Sequence, residues 1–148
     1  MDRNAQVAQI LKIDGVLLLI VSAVHFAATP FVLDFISSQT TPEAYAQIKP
    51  PFLLSFVVVG ILLLPLGLST FFCAGPIRHG ERWARTICLY NALGVLLLPV
   101  ALTLIMPARY FRATLFVVAT ALVCIVAISM AVPLVLGRGE CGLPAGQK

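Results

Sequence analysis

The sequence predicts an all-α fold, an integral membrane bundle of four antiparallel transmembrane helices. Its composition points there first: of 148 residues 60% are hydrophobic and 11% charged, with a mean hydropathy of +1.02. A soluble domain carries roughly 25% charged residues, because its outer surface must meet water. A chain this poor in charge cannot build such a shell, so its outer surface is expected to meet lipid. The second observation is length: four apolar segments, about 13–33, 52–73, 85–106 and 113–136, each reach the roughly 20 residues that a helix needs to cross the hydrocarbon. The third is their continuity. Membrane barrels are written in short alternating strands, and these runs do not alternate.

The first segment is interrupted by Asp14 near its start and His25 near its middle. Reading it as a removable signal peptide is disfavoured by Asp2 and Asp14 among the basic residues, and by Pro30 soon after the small pair Ala27-Ala28. The second lies in a charge-free stretch opening at Pro50. The third and fourth are joined by Pro107-Ala108-Arg109-Tyr110-Phe111-Arg112, short enough to make them antiparallel neighbours. One four-helix domain over 1–136 is expected, followed by a Gly-rich polar tail, 137–148, expected to be disordered and cytoplasmic.

Basic residues predict orientation. Arg3 and Lys12, then Arg78, Arg82 and Arg85, then Arg138 and Lys148 fall on one side, with Lys49, Arg109 and Arg112 on the other. Seven against three places both termini in the cytoplasm. The net charge of +4 is scattered beside span ends, which argues against a nucleic-acid partner. Trp83 on one side and Tyr45 with Tyr110 on the other suit the two interfacial belts. The segment His79-Gly80-Glu81-Arg82-Trp83-Ala84-Arg85 is similar to cytoplasmic turns of small bacterial membrane proteins, which implies an inner-membrane location. The loop 34–51 is expected to be the longest, carrying a short surface helix that starts at Thr40 or Thr41 with Pro42 and Glu43 in its first turn.

At 100° per residue Asp14, Ser22, His25 and Thr29 share an arc of about 80° on the first helix. Polar side chains in a span face the bundle interior or a wet cavity. Asn91 of the third span is expected about 9 Å shallower than His25, and could line the same cavity from below. The candidate ligand-binding set is therefore Ser22, His25, Thr29 and Asn91. The alternative is that His25 bonds Asn91 or a backbone carbonyl, and that both serve as helix glue.

No catalytic residue, cofactor or metal is expected. A bis-histidine haem needs a second axial ligand at the depth of His25, and His79 lies in a loop. Cys73, Cys88, Cys124 and Cys141 form no CxxC, so the dithiol of vitamin K epoxide reductases is absent. They read as thiols and small hydrophobes facing the membrane. No acid lies in spans two to four, as the catalytic pattern of MAPEG glutathione enzymes would require, and the outer loop lacks the Trp and Cys pair of claudins. Pro30, Pro65, Pro99 and Pro133 place one proline in each span, and Ala23 with Ala27 and Ala127 with Ala131 are spaced for close helix contact.

Two functions follow as expectations. One is an accessory or structural subunit, partnered by membrane lipids and by another membrane protein or a second copy. The other is a binder or transporter of a small apolar molecule (lipid, quinone or sterol-like) at the polar stripe around His25.

Overall fold

The computed structural model describes residues 3–105 and 114–136, and these form four helices: α1 (Arg3–Gln39), α2 (Pro42–Arg78), α3 (Arg82–Ile105) and α4 (Thr114–Leu136). Among the described residues there are no strands, and three helices are long and apolar enough to cross a membrane: α1, α2 and α3. The predicted outer loop with Arg109, Tyr110 and Arg112, and the tail with Cys141, lie outside the described residues.

The first connection differs from expectation. The segment 34–51 is not a loop with its own short helix, because α1 continues to Gln39 and α2 begins at Pro42, leaving Thr40 and Thr41 as the link. The last turn of α1 closes its own carbonyls: Ser37 Oγ donates to Asp34 O, Ser38 Oγ to Phe35 O and Thr40 Oγ1 to Ile36 O. Thr41 then caps α2, its Oγ1 accepting from the Ala44 amide at 3.3 Å, with Pro42 and acidic Glu43 in the first turn. The helix start was legible; its fate was not. Glu43 to Lys49 are mostly good helix formers, so the helix propagates past Pro50 and Pro51 directly into the apolar stretch.

The turn between α2 and α3 is built on one glycine. Gly80 has φ of 83°, while its amide bonds Ile77 O and the Glu81 amide bonds Pro76 O. That is a Schellman closure, and it needs a residue without Cβ at the left-handed position.

The helices form a ring of seams, α1–α2, α2–α3, α3–α4 and α1–α4, with α1–α2 the most extensive and α1–α4 the least. Facing pairs give the directions. Ser22 meets Gly60 across α1–α2, Asn91 meets Thr70 across α2–α3, and across α1–α4 Arg3 meets Leu136 while Asp14 meets Ser129. Neighbours therefore run antiparallel, in up-down order.

Full burial of side chains is confined to one half of the bundle. Among the described residues, buried side chains run from Val7 to Ser22 on α1, Leu63 to Ile77 on α2, Ala84 to Pro99 on α3 and Val126 to Leu134 on α4. This half, the base, holds the chain's first residues and the α2–α3 turn. Two links fasten it: Arg3 donates to the Leu136 carbonyl at 2.6 Å, and Arg85 donates to Asn4 Oδ1 at 2.6 Å across the diagonal. The first also places a cation at the carbonyl end of α4, where the helix dipole favours it. Beyond the base, large apolar side chains point outward, Phe31 at 74% and Leu104 at 80% exposure.

The tight contacts are not the predicted alanine pair of α1, since Ala23 and Ala27 are both exposed. Glycine makes them. A Cβ on Gly15 would lie 2.8 Å from the Phe71 nitrogen and 2.9 Å from Gly67 O, and one on Gly60 would strike the Phe26 ring at 2.9 Å. Gly60, Gly67 and Ala74, spaced by seven, are buried on α2 and leave room for α1. On α4, Ala127 is buried and Ala131 packs beside the core. Each helix continues through its prolines, and α2 through Pro50, Pro51, Pro65 and Pro76.

Candidate functional site

The predicted set separates into two places. Ser22, His25 and Thr29 line the α1–α2 seam where burial stops, and Asn91 sits in the base between α2 and α3.

Ser22 is fully buried, and its hydroxyl donates to the Gly60 carbonyl of α2 at 2.8 Å. One turn further, His25 is half-buried and stacks on Phe56, ring centroids 3.7 Å apart and planes 15° from parallel. Phe52 continues the column, 5.7 Å from Phe56. His25 Nε2 is buried and has no hydrogen-bond partner. Thr29 turns back on its own helix, donating to His25 O at 3.1 Å. Of the three, His25 alone retains an unused buried polar atom.

Asn91 is spent on packing. Its amide donates to Ser69 Oγ at 2.8 Å and Thr70 Oγ1 at 3.0 Å, with Leu66 O at 3.5 Å. Its partner helix is α2, and His25 is not involved. Phe56 beside His25 and Thr70 beside Asn91 are fourteen residues apart on α2, about 20 Å along the axis. The expected offset of about 9 Å assumed equal spans and is too small. The two residues do not line one cavity.

Asp14 shares the polar line of α1 with Ser22 and His25 but meets α4 rather than α2. It is 3% exposed, inside the base, with Ser129 Oγ 2.7 Å from its Oδ1. Gly15 faces Gly67, and Thr70 lies three residues further along α2. Asp14, Thr70, Asn91 and Ser129 therefore share a level to within about one helical turn, one polar group from each helix. The signal for burial was its position on the same helical line as His25.

Cys73 and Cys88 are buried thiols facing each other between α2 and α3, rather than groups facing the membrane, and Cys124 is partly buried. Among the described residues no group of three or more His, Cys, Asp or Glu converges as a metal site. His79 is exposed at the α2–α3 turn.

Comparison with protein-family models, curated proteins and solved structures finds no match to this chain.

Proposed function

We propose that the chain is an integral membrane protein of four spans, both termini cytoplasmic, that acts as an accessory subunit whose outer half packs against partner membrane helices or a second copy. The observation that carries this reading is the end of burial at Ser22 on α1 and Gly60 on α2. Beyond it the helices offer Phe31, Phe35, Leu54 and Leu104 outward. Lipid can cover such a surface, and so can another helix, since packing between spans depends on shape as much as on apolarity. Asn91 and Thr29, two of the residues that could have served a ligand, have their donors engaged within the bundle. Orientation rests on the seven-to-three distribution of basic residues, and a bacterial inner membrane is the setting suggested by the 79–85 turn.

Purification from the native membrane in mild detergent tests it. Stoichiometric co-purification with another subunit, lost on Phe31→Ala with Leu104→Ala, is the expected result. A protein that emerges alone and empty overturns the reading.

A second reading has its own observation, the buried and unpartnered Nε2 of His25 beside an aromatic column. That arrangement suits one polar atom on a flat apolar molecule, such as a quinone carbonyl or a sterol-like hydroxyl. A single species carrying such a molecule, lost in His25→Phe, supports it.

A further inference from the structure

The α1–α4 seam contains the one buried carboxyl among the described residues, and its surroundings suit the protonated form better than the ionised one. Ser129 Oγ lies 2.7 Å from Asp14 Oδ1 and 2.9 Å from the Val126 carbonyl oxygen. A serine hydroxyl has one proton to donate. The Val126 carbonyl can only accept, and a carboxylate can only accept, so beside an ionised Asp14 the single hydroxyl proton would be shared between two acceptors. A proton on Asp14 gives each contact its own hydrogen: Asp14 donates to Ser129 Oγ, and Ser129 donates to Val126 O.

The remaining carboxyl oxygen agrees. Oδ2 is buried without a partner. As half of a carboxylate it would be a buried charge facing no donor, which proteins avoid far more strongly than an unmet neutral carbonyl. Among the described residues no cation pairs with it. On α1 the neighbouring Lys12 is exposed, α4 carries no charged residue within Thr114–Leu136, and α2 carries none between Lys49 and Arg78. On α3 the basic residues are Arg82 and Arg85 at the base, and Arg85 donates to Asn4.

We propose that Asp14 is a proton-binding site of this protein, holding one proton that is relayed as a hydrogen-bond chain from Asp14 through Ser129 to the Val126 carbonyl and that keeps the α1–α4 seam closed. This seam is the least extensive of the four, so it has the least other packing to hold it. Loss of the proton leaves a charge in the seam that only water or a cation entering between α1 and α4 can solvate. The site is independent of which partner or ligand the outer half takes.

Infrared spectroscopy of the full-length protein in lipid vesicles at neutral pH reads the proton directly. The wild type is expected to show the carbonyl stretch of one protonated carboxyl, lost in Asp14→Asn, whose neutral amide can preserve the packing. In Ser129→Ala the band is expected to remain but move to higher frequency, because its hydrogen bond is gone. Dicyclohexylcarbodiimide, an apolar reagent that adds to protonated carboxyls and loses no atoms in forming the N-acylurea, is expected to mark Asp14 in the wild type. A wild type with neither the band nor the adduct overturns the proposal, as does a band unchanged in Asp14→Asn. A band unmoved in Ser129→Ala overturns the relay.

Discussion

Gly15 and Gly67 bring the backbones of α1 and α2 into contact, so that a methyl group on either would lie within about 3.0 Å of its neighbour. Backbone cannot move aside as the end of a side chain can. Gly15→Ala is expected to destabilise the bundle by about 1–3 kcal/mol, as overpacking does. Gly75→Ala is the control, since a Cβ there meets nothing within 4 Å. It is expected to be neutral or stabilising by up to about 1 kcal/mol, because helix propensity then acts alone. Reversible unfolding in mixed micelles measures both, and equal effects from the two would sink the close-contact account.

Asn91 joins α3 to α2 through Ser69 and Thr70. Asn91→Ala is expected to cost about 1 kcal/mol, since interhelical bonds in membranes average about 0.6 kcal/mol each. Combined with Thr70→Val the loss should be less than the sum, because one bond is counted in both. A double-mutant cycle in the same micelles checks it, with strict additivity as the contrary result.

His25 meets α2 through its ring stack on Phe56 and a hydrogen bond to the Phe56 backbone, and the stack is expected to carry more of its contribution. His25→Phe is expected to keep stability to within about 0.5 kcal/mol, and His25→Ala to lose about 1 kcal/mol with the stack on Phe56. Equal losses in both variants would mean that the hydrogen bond to the Phe56 backbone, and not the stack, carries the contribution.

Gly80 sits at φ of 83° in the α2–α3 turn. Gly80→Ala is expected to cost about 1 kcal/mol, because a Cβ is strained there whatever space surrounds it. Gly80→Asn should cost less. Thermal unfolding of the three proteins side by side gives the order.

Helix type and number were legible because long apolar runs leave the backbone one way to satisfy itself. The ends were less so. Pro50 and Pro51 read as boundaries, yet α2 passes through them, since a proline removes one bond of the ladder and the flanking residues favour helix. The candidate site was half legible. The 100° rule put Ser22 and His25 on an inward face, and both do meet α2. It could not say that Asn91 would find hydroxyls on α2 twenty ångströms away (about fourteen residues of rise) rather than His25. Depth along a span depends on how helices of unequal length are staggered, and α1 with 37 residues against α3 with 24 is not set by either sequence alone. The Gly60, Gly67, Ala74 spacing was present to be read, but small residues take on meaning only when the helix opposite them is known.

Because α1 and α2 are fully buried only in the base, and beyond it hold each other through the His25–Phe56 stack and the link Thr40–Thr41, their outer halves form one hairpin arm carried on the base. From Ser22 to the end of α1 at Gln39 this arm is about 26 Å long at 1.5 Å per residue. A rotation of about 5° at the grip would carry the Gln39 tip through about 2 Å on that arm length. A small rotation in the base, such as one that followed the proton loss proposed for Asp14, would thus be magnified at the far side of the molecule, where α1 turns into α2 at Thr40 and Thr41.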